Sequence, residues 1–135
     1  MRTKPAGWVA VATAACVALF AAACGGDDGT GPARPGQLTV SVSTTGDPGA
    51  AFLVLVRGDS ISNPATVNSG DLIYSYTSGI TTRVAVIGSH SLGPLFEFTV
   101  PDVGQASSYT VSLLQVAGSD NALMVEKDFT LTISN

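Results

Sequence analysis

Chemistry in this chain would have to come from few side chains: one histidine, two cysteines and ten carboxylates among 135 residues. His90 lies in the turn Gly88-Ser89-His90-Ser91, where an imidazole beside a serine could serve as general base for a hydroxyl nucleophile. No Gly-x-Ser-x-Gly elbow leading into a helix accompanies it, so His90 reads as an exposed turn residue. Asp59-Ser60-Ile61-Ser62-Asn63 alternates oxygen ligands as a calcium loop does. It lacks the sixth-position glycine and the closing glutamate of such a loop. Glu97, between Phe96 and Phe98, is the best isolated carboxylate for glycoside chemistry, but that reaction needs a second one across a cleft. Alternation places Glu97 outward as a solvated residue. Asp47 and Asp102 adjoin prolines and read as turn formers. No catalytic residue, no metal site and no cofactor are expected, the alternative for metal being a weak calcium site built from carbonyls and one or two of these carboxylates.

Aromatic side chains offer a different chemistry. Tyr74 and Tyr76 fall on one face of a single segment, and exposed flat rings at that spacing could stack on a ligand such as a sugar. The competing reading makes Tyr74, Tyr76 and Tyr109 packing residues at the edge of a core. The one tryptophan, Trp8, belongs to the N-terminal leader.

That leader holds the remaining candidate. Arg2 and Lys4 precede an apolar stretch from Gly7 to Phe20, and Ala21-Ala22-Ala23 supplies a small-residue exit, the layout of a secretory signal peptide. An isolated spanning helix wants about 20 strongly apolar residues, and this stretch is shorter and rich in alanine. Cleavage after residue 23 would leave Cys24 as the first residue of the product. Cys16 departs with the leader, so Cys24 is the sole remaining cysteine and no internal disulfide can form.

The stretch Phe20-Ala21-Ala22-Ala23-Cys24 resembles the lipobox of bacterial lipoproteins, departing from it at Ala21, where leucine is usual. The resemblance implies that Cys24 carries a diacylglyceryl group on sulfur and often a further acyl chain, such as palmitate, on its amine. Two or more chains meet what stable membrane attachment needs, about two signals. Residue 25 is glycine rather than the aspartate that retains some lipoproteins in the inner membrane, which by the same resemblance favours the outer membrane. Simple small-x-small cleavage to a soluble secreted product is the other reading of the same alanines.

Residues 25–36 contain five glycines, two prolines and two aspartates and cannot bury enough apolar surface to order themselves. As a flexible coil they would span on the order of 20 Å, enough to lift a small domain from a headgroup layer. The expected organisation is therefore a signal peptide over 1–23, a lipidated Cys24 with its tether over 24–36, and one domain over 37–135. Removing the leader takes Arg2 and Lys4 with it and moves the formal charge from −4 to −6. Arg34, Arg57, Arg83 and Lys127 remain, scattered along the sequence. A nucleic-acid partner needs clustered basic residues, so none is expected.

From Gln37 the pattern has period two. Leu38, Val40 and Val42 alternate with Thr39, Ser41 and Ser43, which predicts a strand with one buried face. Phe52-Leu53-Val54-Leu55-Val56 predicts a central strand covered on both sides, and Ala65 to Asn68 a short edge strand. Strands are also predicted over 71–77 and 80–87, joined by a tight break at Ser78-Gly79, then over 95–100, 108–117 and 123–134. Turn signals at intervals of about 8 to 12 residues and the lack of any helical period predict an all-β fold. The expected architecture is a single antiparallel β-sandwich of seven to eight strands, Ig-like in type.

The stretches Thr81-Thr82-Arg83-Val84-Ala85-Val86-Ile87-Gly88 and Gly93-Pro94-Leu95-Phe96-Glu97-Phe98-Thr99-Val100, followed by Ser108-Tyr109, resemble the middle of cohesin-type sandwiches. That resemblance implies a sandwich that binds a partner domain on a sheet face, and it transfers no site residue. A tether of Cys-Gly-Gly-Asp type before a Leu-Thr-Val-Ser-Val strand is also similar to small bacterial lipoproteins of unassigned function. The expected function is a non-enzymatic interaction or structural module of the cell envelope. It would be held to membrane lipid through acylated Cys24, with an envelope protein as partner. The alternative is a small carbohydrate- or ligand-binding lipoprotein using Tyr74 and Tyr76.

Overall fold

The computed structural model describes residues 31–88 and 92–135. Eight strands run in chain order: β1 Gly36–Thr44, β2 Ala51–Arg57, β3 Ser62–Thr66, β4 Leu72–Ser78, β5 Thr81–Ile87, β6 Gly93–Val100, β7 Thr110–Ala117 and β8 Phe129–Ser134. They form two four-stranded sheets with the orders β3-β6-β1-β8 and β4-β5-β2-β7, every pairing antiparallel. The predicted β-sandwich is the observed fold.

Alternation builds the core. Leu38, Val40 and Val42 of β1 and Phe96, Phe98 and Val100 of β6 point inward from the first sheet. Phe52, Val54 and Val56 of β2 and Val84 and Val86 of β5 meet them from the second. Phe52 packs edge-on against Phe129 with ring centroids 5.8 Å apart, and Phe98 lies 5.9 Å from Tyr109. Burying each such side chain contributes roughly 1.5–3 kcal/mol. A core of this kind can hold the domain without a disulfide.

Several predicted details differ. β2 is central in its sheet, but only Phe52, Val54 and Val56 are buried, while Leu53 and Leu55 are half-exposed because no layer covers the outer face. The edge strand predicted at 65–68 sits earlier, at Ser62–Thr66, and includes Pro64. That residue is tolerated because the strand borders β6 alone and its register breaks between Ser62 and Ala65. The β4–β5 loop is Gly79-Ile80, with Ser78 paired to Thr81, and Gly79 takes φ +58° at the first loop position, the pattern of a type II′ hairpin. The last strand begins at Phe129. Glu126–Asp128 is a 3₁₀ turn, and Leu123 makes only an isolated bridge to Ala117.

At one end of the sandwich the chain enters beside the β6–β7 connection, a 3₁₀ segment over Val103–Ser108. Asp102 caps it by accepting from Gly104 N at 2.9 Å, and it also accepts from Arg34 N at 3.2 Å. Val103 N donates to the Arg34 carbonyl at 2.8 Å. Arg34, predicted as tether, is therefore fastened to the domain. A side chain at Gly36 would run into Val103, so glycine permits this close entry.

Candidate functional site

The two outer faces of the sandwich are chemically opposite. On the first sheet, the register sets Thr39 beside Ser134, Ser41 beside Thr132 and Ser43 beside Thr130. Glu97 pairs with Thr39, and its carboxylate accepts from Gln37 Nε2 at 3.2 Å. Hydroxyls, an amide and a carboxylate make this a polar face. Glu97 is where alternation placed it, outward.

Outward positions of the second sheet carry different residues. One row runs Leu72, Ile87, Ala51, Ala117 and a second runs Tyr74, Ala85, Leu53, Gln115. The third is Tyr76, Arg83, Leu55, Ser112. Tyr74 is 61% exposed and Tyr76 69%, so these rings stand in solvent and do not pack at the core's edge. Tyr109, by contrast, is buried. Leu72 and Ile87 are also exposed, and Leu123, 73% exposed, extends the patch beyond Ala117. A shallow apolar hollow of about 230 Å³ lies between Leu53, Ala85, Ile87, Gln115 and Leu123.

Strand geometry explains how tyrosines come to stand there. β4 is an edge strand, and its inward positions Ile73, Ser75 and Thr77 contribute only Ile73 to the core. Thr77 is tied to buried Thr82 through their hydroxyls, 2.9 Å apart. That bond satisfies a hydroxyl that is otherwise sealed from water. β4 is therefore held by its ladder to β5 while its outward face remains free.

At the end of the face nearest the chain entry, Arg57 pairs with Thr81 and Arg83 with Leu55 and Tyr76. The two arginines are thus diagonal neighbours on adjacent strands, about 7–8 Å apart by sheet geometry. With Leu55, Tyr76, Ser78 and Thr81 they line a cleft of about 430 Å³. Neither guanidinium forms an ion pair among the described residues. The basic residues that look scattered in sequence are here partly gathered. Both arginines have outward parity, but only the pairing register shows that they meet.

The other candidates are not assembled. Cys24 and His90 lie outside the described residues. Asp59 to Asn63 spans the β2–β3 loop and the start of β3, where Ser60 and Asn63 take positive φ and the Asp59 carbonyl accepts from Tyr109 Oη at 2.9 Å. Among the described residues, no three His, Cys, Asp or Glu side chains come together in a manner that could hold a metal ion, and no helix is long and apolar enough to cross a membrane. Burial, with Asp59 and Asp102 nearby, raises the Tyr109 phenol above its ordinary pKa.

Comparison with protein-family models, with curated proteins and with solved structures found no match for this chain.

Proposed function

We propose that this chain is a lipid-anchored, non-enzymatic binding module of the bacterial cell envelope that engages a protein partner through the outer face of its second sheet. The observation that carries the reading is the contrast between the two outer faces. One scaffold presents Thr, Ser and Gln on one side and Tyr74, Tyr76, Leu72, Ile87 and Leu123 on the other. Three rows across four strands project to about 20 by 20 Å. Within that area Leu72, Ile87, Tyr74 and Tyr76 are exposed together with Gln115 and Arg83 beside them, and an exposed apolar cluster rimmed by polar residues is the kind of surface that marks interaction sites. Aromatic residues in such a patch are characteristic of interface cores.

Anchoring rests on the sequence of the leader, with Cys24 as the acylated residue and the outer membrane as the proposed location. The aliphatic rows favour a protein over a saccharide, because leucine and isoleucine offer a sugar no hydrogen bond. The exposed rings of Tyr74 and Tyr76 support carbohydrate binding as the second reading.

Two measurements test these statements separately. The N-terminal peptide mass of the mature product should show diacylglyceryl and acyl additions on Cys24, and Cys24→Ser should release the protein from membranes. An unmodified cysteine would refute the anchor. Crosslinking from position 87, on the same face, in intact cells should capture a discrete partner that is lost when Tyr74→Ala, Tyr76→Ala is added. Retention of a polysaccharide in place of a protein would transfer the face to the second reading.

A further inference from the structure

We infer that the cleft between Arg57 and Arg83 is a carboxylate-binding pocket, and that the protein partner docking on the second sheet inserts an aspartate or glutamate side chain there. This rests on the docking face proposed above. The outward strand positions of that face carry two cations, Arg57 and Arg83, and no carboxylate. The whole chain is nevertheless acidic, with a formal charge of −4. Two guanidinium groups on diagonal positions of neighbouring strands are close enough, about 7–8 Å between positions, for like charges to repel within a Debye length. Neither is held in an ion pair among the described residues. An incoming carboxylate would lie between the two positive charges, offset their mutual repulsion and accept a bidentate pair of hydrogen bonds from one guanidinium, the geometry for which arginine is suited.

The rest of the lining fits the same guest. The Tyr76 and Ser78 hydroxyls stand beside the arginines, the Thr81 hydroxyl being donated to the Ser78 carbonyl at 2.9 Å, and Leu55 forms the apolar side continuous with Leu53 and the hollow beyond. The occupant that matches both parts is therefore an acidic side chain flanked by apolar ones. A peptide segment supplies that combination within a few residues, whereas an acidic sugar supplies the carboxylate without the aliphatic neighbours.

The test is a random dodecapeptide display library selected on the immobilised full chain, with polygalacturonate as a separate probe. Selected peptides are expected to carry Asp or Glu beside an apolar residue. Their affinity should fall roughly tenfold or more on replacing that acid by its amide, and equally in Arg57→Gln, Arg83→Gln. The double variant should have an unchanged or higher thermal midpoint, since it relieves a like-charge pair. A purely structural role for the arginines would lower the midpoint and overturn the inference. Peptides that require Tyr74 and Tyr76 but bind the arginine variant at full strength would overturn the carboxylate pocket and leave the docking face standing. Selection of no peptide, or only of peptides indifferent to both sets of substitutions, would overturn both. Arginine-dependent binding of polygalacturonate without acidic peptides would overturn the inference by assigning the pocket to sugar acids.

Discussion

Tyr109 shows how one side chain joins three parts of the molecule. Its ring packs against Phe98, its hydroxyl donates to the Asp59 carbonyl, and its edge fills the space left by Gly58. Tyr109→Phe keeps the packing and orphans the carbonyl, a loss of roughly 0.5–1.5 kcal/mol measurable by urea denaturation at neutral pH. The phenol also gives this residue a pH dependence. Burial, then Asp59 and Asp102, hold its folded-state pKa above the ordinary value near 10, so the neutral form is the one that folding favours. Stability from this source is complete below the unfolded-state pKa, about 10, and is lost as pH rises through the folded-state pKa. Denaturation midpoints between pH 8 and 11 should fall more steeply in the parent than in Tyr109→Phe, and parallel curves would contradict the linkage. Gly58→Ala tests the same contact from the other side. The new methyl would collide with the Tyr109 ring, and a cost of roughly 1–3 kcal/mol is expected because backbone and ring are both held in place.

Among the elements, β7 is where a strict alternation rule fails and shows why. Tyr109, Val111 and Leu113 share the inward side as period two predicts, yet the next inward residue is Val116. The register with β2 slips between Leu53 and Val54, so that Leu114 and Gln115 both face out and the extra residue forms a bulge. Continuing the alternation would have driven Gln115 into the core. Deleting one leucine of Leu113-Leu114 should therefore preserve the fold, since Val111, the remaining leucine and Val116 then alternate regularly with Ser112 and Gln115. The expected result is a cooperative unfolding transition and an unchanged far-ultraviolet spectrum. Collapse of either would show that the bulge is needed to close the sheet.

Sandwich class, the number of strands and most strand positions follow from alternation and turn residues, which are local signals. Strand pairing is not local, and from it come the exposure of Leu53 and Leu55, the outward stance of Tyr74 and Tyr76, and the meeting of Arg57 with Arg83. The parity of all six side chains was visible along their own strands. Which face would remain uncovered was not, because that depends on the stacking of two sheets.

Viewed along its length, the molecule has a charge polarity tied to the direction of its entry strand. Arg34 and Arg57 lie at the end where β1 begins, with Arg83 just inside it and Asp59 and Asp102 as the nearby acids. The loops of the opposite end carry Asp47, Asp71, Asp120, Glu126 and Asp128, with Lys127 as the cation there among the described residues. If Cys24 holds this chain to a bilayer, the tether joins the domain at its less acidic end. Anionic headgroups would then repel the far end at separations within about a Debye length, roughly 10 Å at 0.1 M salt. The sandwich should consequently stand away from the membrane by its acidic end and leave the second sheet's outer face accessible from the side. Fluorophores placed on cysteines at Gln105 and at Ser119, in separate variants of the acylated protein, check this. On vesicles rich in phosphatidylglycerol, headgroup-bound quenchers should quench the label at 105 more than that at 119. The difference should shrink in 0.5 M salt or on neutral vesicles, and equal quenching under all conditions would mean that charge does not orient the domain.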